Sequence, residues 1–481
     1  MVCEFGYPKV MQYFEEISAI PRGSYHEEQI TEYLVAFAKA RNLVYVRDEI
    51  GNVLIDLPAS RGMEKKAPIL LQGHTDMVCE KNEGVEHDFL RDPLKLYVKD
   101  GWLRAEGTTL GADNGVAVAV MLALLDGMAE AHPALQCLFT VSEEVGLDGA
   151  KEFDYRHIYA RKMLNMDSAD ESSIIAGCAG GQRSTLTLPV AWEPCAGEAW
   201  RLRITGLFGG HSGEDINRGR ANADKLLGRI LWELSKQHAF RLASVKGGSK
   251  DNAIPREAEA ILIPERAENE RALVAELAQL IRNIRAELCR DDRAFEVIWE
   301  PIGESVVRCF DRAATDRVIF LLATVANGIF AMNHEFPELV EFSRNLGVVS
   351  TEDNCVDFVF SSRSALDSQI DASASELDAY AAQIGASVRH YNRYPGWAFA
   401  EQSEMRDTYV AAYRALYGTL PKIEVIHAGL ECGIIKQAIP DMDMISCGPI
   451  VLNLHSPDEV LHLASFERFV AVLVEVLKQY S

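Results

Sequence analysis

The sequence predicts an α/β protein of two domains, one of which is discontinuous along the chain. Three observations lead to this prediction. The first third of the 481 residues alternates apolar strands with helices, the pattern changes after Asp170, and it returns near residue 395. Because a chain of this length exceeds what one hydrophobic core usually supports, two domains are expected. We place one at residues 1–184 with 395–481 and the other, an insert, at residues 185–394.

The first part of the chain supplies the elements of a mostly parallel sheet. Residues 26–42 have helical periodicity, and the apolar run 115–125 is predicted to be a buried helix. Three apolar segments with polar ends are predicted strands: APILLQGHTDMV, PALQCLFTVSEE and KMLNMDSAD. Strands that alternate with helices form a twisted, largely parallel sheet covered on both faces. Since ligands bind beyond the carboxyl ends of such strands, we expect the site there.

The segment after the glycine-rich stretch 177–183 is expected to form an inserted α+β domain. It contains its own strands, EAWRLRITGL and FVFSSRSA, and long amphipathic helices at 223–239 and 271–290. The stretch YNRYPGWAF, residues 391–399, is a second break, after which a helix, the strand MDMISCG and a C-terminal helix resume the first pattern. Because the candidate site residue His455 lies there, the first and third segments should form one domain.

Composition and charge exclude several classes of protein. A hydrophobic fraction of 48% without low-complexity tracts favours a globular chain over a disordered one. A net charge of -23 with dispersed Lys and Arg residues argues against a nucleic-acid partner, because phosphate binding requires a basic patch. The longest apolar run, 116–125, is about half the length that crosses a bilayer, so no membrane partner is expected. Ten cysteines without a CxxC pair, and no visible signal peptide, favour reduced thiols in the cytoplasm.

The first candidate motif is GHTD, which places His74 and Asp76 two residues apart at the end of a strand. Side chains at this spacing share one face of a regular strand. A ligating histidine needs a carboxylate or an equivalent group to hold its ring, although the spacing does not decide which residue plays which part. An ordinary strand-end turn also explains the pattern.

Two further motifs add three carboxylates. Asp113, in GADNG at the start of the apolar helix, is either a helix cap or a bridge between two metal ions, for which its two oxygens suit it. Glu143 and Glu144 follow an apolar strand, and neighbours on an extended chain point in opposite directions. One of them can then ligate a metal ion while the other faces an attacking water, with a solvated acidic turn as the alternative.

Asp167 in NMDS and His455 in LHSPDE are weak signals individually, because such residues usually cap, turn or stabilise a fold. With Asp113 as a bridge, however, two histidines and two acids give each of two ions a nitrogen and oxygen ligand set with room for water. The sequence therefore predicts a two-metal hydrolytic site. A metal carrier or sensor would need clustered soft ligands, which the cysteines do not provide.

Taken in order, the motifs GHTDMV, GADNGVA, SEEVGLDGA, NMDS, GGHSG and LHSPDE resemble the dinuclear zinc peptidases, which include carnosinases, glutamate carboxypeptidases and dipeptidases. The longer stretches GLFGGHSGEDINRGRAN, DNAIPREA, RYPGWAF and HAGLECG are most similar to the aminoacyl-histidine dipeptidases of that family. The resemblance covers nearly the whole chain. It implies a metal-dependent dipeptidase that cleaves Xaa-His and related small peptides with two zinc ions per subunit, for which cobalt or manganese can substitute.

The resemblance also implies roles for individual residues. Five would be metal ligands, two for each ion and one shared: His74 with Asp167, Glu144 with His455, and the bridging Asp113. Asp76 would orient His74. Glu143 would be the general base that takes a proton from water and returns it to the leaving amine.

The inserted segment would be a lid domain, whose His211 in GGHSG would help to polarise the scissile carbonyl. By itself this glycine-flanked motif is equally a turn in which the histidine only stabilises a loop. Asn252, Arg363 and Glu431 are candidates for holding the ends of the peptide, since an arginine pairs with a carboxylate and a glutamate with an ammonium group. The alternative for each is a structural or surface role.

Other functions stay open at this point. A tripeptidase, a carboxypeptidase or an amide deacylase would use the same zinc site. A non-catalytic binding protein on this fold would be expected to lose the base, and Glu143 is present. For the assembly, a monomer and a homodimer both stay open, and we favour the homodimer.

Overall fold

The computed structural model describes residues 5–195, 197–265, 270–302 and 308–479. The chain divides into two compact units. The first runs to Cys178 and also includes Trp397–Val425 and the residues from Leu430 onwards, whereas the second comprises Ala179–Gly396 and Ile426–Gly429. The discontinuous α/β domain and the inserted α+β domain of the predicted fold are therefore both present.

In the described residues, an eight-stranded mixed sheet forms the centre of the first unit. Its four middle strands are parallel, as predicted. The strands that flank this centre on both sides pair with it in antiparallel fashion. Across the sheet, the strands are Val44–Arg47, Val53–Leu57, Leu135–Thr140, Ile69–His74, Lys162–Asn165, Asp443–Ser446, Ser173–Cys178 and Lys422–Ile426.

Helices and a smaller sheet complete the first unit. Ala112–Leu125 is buried along nearly its whole length, since it packs against both the strand Ile69–His74 and the first helix. The α-helices described in this unit are Pro8–Ser18, Glu28–Ala40, Ala112–Leu125, Asp148–Glu152, Glu404–Tyr417, Glu431–Ala438 and Leu463–Gln479. The smaller sheet contains Val451–Leu452, Val460–His462, Trp102–Ala105 and Leu96–Lys99.

Apolar spacing explains why the outer helices cover the sheet. The C-terminal helix buries Phe466, Phe469, Val470 and Leu473, which recur three or four residues apart and so share one face. Burying each such side chain stabilises the fold by about 1.5–3 kcal/mol relative to leaving it exposed. The helix is therefore held by its apolar stripe.

A nine-stranded antiparallel sheet and four α-helices form the second unit, as far as the described residues show. The strands are, in order, Glu296–Pro301, Trp200–Thr205, Ala258–Pro264, Phe240–Gly247, Val340–Thr351, Cys355–Ser364, Gly180–Pro189 and Ser387–Tyr394, with Gly328–Met332 beside Val340–Thr351. The helices are Ala223–Ser235, Glu270–Glu287, Arg312–Thr324 and Asp367–Ile384. Two short ladders pair Trp192–Pro194 with Arg308–Phe310 and Gly210–His211 with Ala253–Ile254.

The first of the two segments predicted as breaks is largely strand, and the second is strand only over residues 391–394. Most of residues 177–183 belong to Ser173–Cys178 and Gly180–Pro189, and the first part of residues 391–399 belongs to Ser387–Tyr394. A Cβ atom on Gly180 would collide with the backbone at Gly396. The glycines therefore permit close approach of two backbone segments, which a prediction based on turn propensity does not anticipate.

Two further findings concern the cysteines and the helices. Five cysteines in the described residues are buried free thiols. None of the helices in the described part of the chain combines the length and the apolar character needed to cross a membrane.

Candidate metal centre

The carboxyl ends of the central parallel strands carry the predicted site residues. His74 is the last residue of its strand, and Glu143, Glu144 and Asp167 follow the two neighbouring strands within a few residues. Since these strands are parallel, their carboxyl ends meet at one edge of the sheet. Asp113 lies in the first turn of the buried helix and completes this edge.

Asp113 lies between two histidines. Its Oδ1 atom is 3.1 Å from Nε2 of His74, and its Oδ2 atom is 3.3 Å from Nε2 of His455. The helix begins at Gly111 as its cap residue, without a side-chain cap hydrogen bond. The capping alternative for Asp113 is therefore not what the structure shows, and each carboxylate oxygen faces a different histidine.

Two groups of potential ligands share this aspartate. In the first, Nε2 of His74 lies 3.6 Å from Oδ1 of Asp167, and in the second, Nε2 of His455 lies 3.0 Å from Oε1 of Glu144. Within each group the ligand atoms lie within 4.8 Å of one another. One ion that binds its ligands at about 2.0–2.2 Å can span such a separation.

The electrostatics of these residues fit bound cations. Burial raises the pKa of Glu143 well above its ordinary value; His74 opposes the shift, and the negative charge of Asp167 adds to it. Burial likewise raises the pKa of Asp167. Buried acids at this density require a compensating cation, and a donor set of imidazole nitrogens and carboxylate oxygens suits Zn²⁺. The residues present therefore fit a two-ion centre.

Both histidines lie in the same strongly negative surroundings. Burial acts to lower the pKa of His74, but hydrogen bonds to Asp113 and Asp167 raise it well above 6.5. Hydrogen bonds to Asp113 and Glu144 raise the pKa of His455 to about 10. Such a field stabilises positive charge, whether it is carried by a proton or by a metal ion.

Asp76 lies behind His74 and is fully buried. Its Oδ1 atom is 3.2 Å from Nδ1 of His74, on the side of the ring away from Asp113. The same carboxylate accepts the backbone N–H groups of Glu143 and Glu144, at 3.0 and 3.2 Å. The geometry thus separates two residues whose spacing in the sequence left their parts open: His74 faces the other ligands and Asp76 supports its ring.

The predicted alternation of Glu143 and Glu144 along an extended chain is wrong. The strand Leu135–Thr140 ends before Ser142, whose φ of 52° is left-handed, so Glu143 and Glu144 do not continue an extended chain. Alternation along a strand therefore cannot separate their side chains. Both carboxylates approach His74, with the three ligand atoms within 4.8 Å of one another.

Arg22, which no motif in the sequence indicated, supports two of these loops. Its buried guanidinium donates hydrogen bonds to the backbone oxygens of Thr75 at 3.0 Å and of Gly111 at 2.5 Å. Gly111 has a φ of +67°, and a Cβ atom there would collide with the guanidinium. A glycine is needed for both reasons. An arginine that bonds backbone groups leaves no motif in the sequence.

Glu459 was missed as well, although it ends the quoted motif LHSPDE. Its buried carboxylate accepts the backbone N–H groups of Leu110, Gly111 and Asp113 at 2.8, 2.9 and 3.2 Å. It connects the loop that carries His455 to the start of the buried helix. The four-residue spacing from His455 was the signal that could have indicated it.

The second unit brings together three of the predicted substrate residues. The backbone N–H of Ser212, next to His211, donates to the backbone oxygen of Asn252 at 2.8 Å. Burial and the nearby positive charge of Arg363 lower the pKa of His211. Because the N–H of Glu214 donates to Nδ1 of His211 at 3.2 Å, the neutral ring carries its proton on Nε2.

Arg363 is a buried cation without an acidic partner in the described residues. Only 7% of it is exposed, its Nη1 donates to the hydroxyl of Tyr394 at 3.1 Å, and its Nε has no hydrogen-bond partner. Burial and the charge of Arg363 lower the pKa of His427 to about 3, so this histidine is neutral. Tyr394 and His427 were missed as individual residues, although RYPGWAF and HAGLECG contain them. A buried guanidinium among neutral groups is suited to bind an anion.

Glu431 is placed differently from a substrate contact. It lies in the first unit with none of its surface exposed, and its Oε2 accepts hydrogen bonds from Gln72 at 2.5 Å and Thr140 at 2.9 Å. Burial raises its pKa to about 7. These contacts favour the structural alternative over the expected contact with an ammonium group.

Comparisons with known proteins place the chain in a family. Residues 70–479 match the model of Peptidase family M20/M25/M40. The chain is 38% identical over 470 residues to a cytosol non-specific dipeptidase of Escherichia coli (strain K12), covering 97% of this chain and 96% of that protein. The chain belongs to this peptidase family, which is metal-dependent, and it is an enzyme.

Solved structures agree with this assignment. The crystal structure of aminoacylhistidine dipeptidase from Vibrio alginolyticus superimposes with a TM-score of 0.92 at 36% identity, covering 99% of this chain and 97% of that one. The aminopeptidase PepT from Bacillus cereus has a TM-score of 0.57 at 14% identity, with 98% of each chain covered. The second likeness shows the shared fold alone.

Proposed function

We propose that this chain is a dipeptidase that hydrolyses Xaa-His and related dipeptides with two zinc ions. The observation that carries the proposal is the position of Asp113, whose two oxygens face His74 and His455 separately at 3.1 and 3.3 Å. A carboxylate shared in this way is suited to bridge two ions. Similarity to a dipeptidase and to an aminoacylhistidine dipeptidase over nearly the full length supports the substrate class.

The proposed ligands follow from the two groups that share Asp113. His74 and Asp167 would hold one ion, and Glu144 and His455 the other. Zinc suits these nitrogen and oxygen donors, and cobalt or manganese can occupy similar sites. When bound, the ions supply Lewis acidity, which polarises the peptide carbonyl and makes water more acidic.

Glu143 is the remaining acid of the centre that can transfer a proton. It belongs to neither of the two groups that share Asp113, yet one of its oxygens lies within 4.8 Å of ligand atoms of His74 and Glu144. We assign it the role of general base, which takes a proton from the attacking water and returns it to the leaving nitrogen. Asp76 holds the imidazole of His74 from behind and fixes the backbone of the base.

Residues of the second unit are proposed to recognise the peptide. Arg363, with the hydroxyl of Tyr394, would bind the terminal carboxylate, because it is a buried cation without an acidic partner in the described residues. His211 would donate a hydrogen bond from its Nε2–H group to the carbonyl oxygen as negative charge develops there. Asn252, which lies beside Ser212, would help to hold the substrate.

The remaining assignments concern the whole chain. We propose residues 1–184 and 395–481 as the catalytic domain and residues 185–394 as the lid domain, in a homodimer. We place the protein in the cytoplasm, where a relative named cytosol dipeptidase works.

The proposal is tested by combining metal analysis with a substrate panel. We expect two zinc ions per chain, and hydrolysis of β-alanyl-histidine and other Xaa-His dipeptides that stops on chelation and returns with zinc. Tripeptides, C-terminal extensions and N-acylated amino acids should be poor substrates. Activity that survives complete removal of metal would exclude the scheme, and preferred cleavage of tripeptides or N-acyl substrates would replace the dipeptidase assignment.

A further inference from the structure

Three side chains between the first two helices each contact a different part of the metal centre. They lie within six residues of one another, between the helices Pro8–Ser18 and Glu28–Ala40, and they are Arg22, Ser24 and Glu27. Every contact described below lies within the first unit. Arg22 bonds backbone oxygens, Ser24 bonds the carboxylate of Asp76, and Glu27 bonds Ser142, the residue before Glu143.

Ser24 supports Asp76. Its hydroxyl donates to Oδ2 of Asp76 at 2.8 Å, and this carboxylate accepts the backbone N–H groups of Glu143 and Glu144. The backbone of both acids is therefore attached to Asp76 from one side. The residue before them, Ser142, is held by a different group.

Glu27 holds Ser142. Its Oε1 atom accepts both the backbone N–H of Ser142 at 2.8 Å and its hydroxyl at 2.7 Å. Glu27 is 6% exposed and forms no ion pair with a cation in the described residues. The buried carboxylate of Glu27 therefore holds a single residue through two hydrogen bonds, and we call this contact the clamp.

The clamp acts at a strained position. Ser142 has a φ of 52°, in the left-handed region, which a residue other than glycine adopts unfavourably. This turn sets the direction in which the chain enters Glu143 and Glu144. An alternative turn would move both carboxylates together, since they are the next two residues.

We propose that Glu27 is a positioning residue, which keeps Ser142 in the left-handed turn and so places the base Glu143 and the ligand Glu144. The proposal rests on the proposed function for the roles of these two acids. The new element is that the contact between Glu27 and Ser142 determines both the zinc affinity and the turnover. Neither hydrogen bond involves a metal ligand directly.

The test compares variants at two positions. Glu27→Ala removes both accepting interactions, and we expect it to lower kcat and the affinity for one of the two zinc ions by about 10–100-fold, with a much smaller change in KM. Glu27→Gln keeps an oxygen that accepts both hydrogen bonds and should retain most of kcat. Glu28→Ala removes an exposed acid from the next position and serves as the matched control, with wild-type values.

A second substitution separates positioning from general damage to the fold. Because glycine adopts the left-handed region without strain, Ser142→Gly in the Glu27→Ala background should restore part of both kcat and zinc affinity. Ser142→Ala removes only one of the two hydrogen bonds and should give an intermediate decrease, which keeps the test decisive if Glu27→Ala does not fold.

Zinc affinity is measured by competition with a chromophoric chelator, independently of peptide hydrolysis. If the wild type binds zinc but cleaves no dipeptide, the proposed function fails while the zinc titrations still test the positioning role. Wild-type kcat and zinc affinity in folded Glu27→Ala would overturn the proposal. Failure of Ser142→Gly to restore either quantity in folded double variants would also overturn it.

Discussion

Single residues in the metal centre differ in what their removal should change. Asp113 belongs to both ligand groups, whereas Glu143 belongs to neither of those two and lies beside them. Loss of a shared ligand should therefore release metal, and loss of the base should leave metal in place. This difference distinguishes a ligand from a proton carrier without any reference to relatives.

The first prediction concerns Glu143. Glu143→Ala should lower kcat by about 10²–10⁴-fold, the usual contribution of a general base, while the zinc content stays near that of the wild type. Steady-state kinetics on an Xaa-His dipeptide and elemental analysis of the same sample provide the measurement. Asp113→Ala serves as the contrast, since it should lose zinc as well. Ordinary turnover in the Glu143 variant would show that another group is the base.

The second prediction concerns Arg363. Arg363→Met removes a buried cation that has one hydroxyl partner, Tyr394, and an unbonded Nε. For a dipeptide with a free carboxylate, kcat/KM should fall by about 10–100-fold, the value of a charged hydrogen bond. The corresponding dipeptide amide should be hydrolysed equally slowly by both proteins. An equal loss for the acid and the amide would mean that Arg363 does not bind the carboxylate.

At the scale of elements, the helix Ala223–Ser235 contains an unusual acid in its first turn. Both oxygens of Asp224 are buried without hydrogen-bond partners, and a Cβ atom on Gly247 would collide with Oδ1. Burial raises the pKa of Asp224 well above 3.8, opposed only in part by Lys225. A negative charge near the start of a helix is normally favourable, but here the desolvation of the carboxylate outweighs that benefit.

The third prediction follows from the direction of this shift. Because the folded pKa of Asp224 lies above its unfolded value, folding takes up a proton, and the stability that this group contributes at low pH is lost as the pH rises from about 4 through the folded pKa. Asp224→Asn should therefore raise Tm at neutral pH, by several degrees, with a smaller gain near pH 4. Thermal unfolding followed across this pH range provides the measurement.

A matched control separates burial from a change of net charge. Glu49→Gln removes one negative charge from an exposed position, and its Tm difference should stay small at every pH. If Asp224→Asn gave no more stabilisation than this control at neutral pH, the carboxylate would not be strained by its burial.

At the scale of the whole molecule, the sequence predicts those features that depend on local patterns, such as apolar segments and the polar residues that follow them. Strongly apolar segments predicted the central strands, and the polar residues near their ends predicted the five proposed ligands. The second prediction was possible because parallel strands bring their carboxyl ends together. The alternation argument for Glu143 and Glu144 failed because Ser142 turns the chain. Long-range partners such as Arg22 and Glu27 could not be predicted, since they bind backbone groups that lie far from them in the chain.

The same separation explains why the candidate substrate residues were harder to interpret. Arg363 was a candidate by type alone, and its importance becomes visible only when its surroundings prove to be neutral. Glu431 had the right charge for a substrate contact, but the fold buries it beside Gln72 and Thr140. Residue type and motif order thus point to the proposed metal centre, whereas the surroundings of Arg363 and Glu431 depend on long-range contacts of the fold.

The last prediction concerns the response of the whole molecule to metal. All five proposed ligands lie in the first unit, and ions that bind only the folded state stabilise it by about 2.7 kcal/mol at a free concentration one hundred times Kd. Chelation should therefore lower the Tm of the transition that unfolds the first unit, and zinc should restore it, while a transition of the second unit should not move. Differential scanning calorimetry with and without zinc measures both. Asp113→Ala, which lacks the shared ligand, should show a much smaller zinc-dependent shift. An equal shift in this variant would place the stabilising metal outside the proposed centre, because a site that lacks its bridging carboxylate leaves each ion with only two of its three proposed protein ligands.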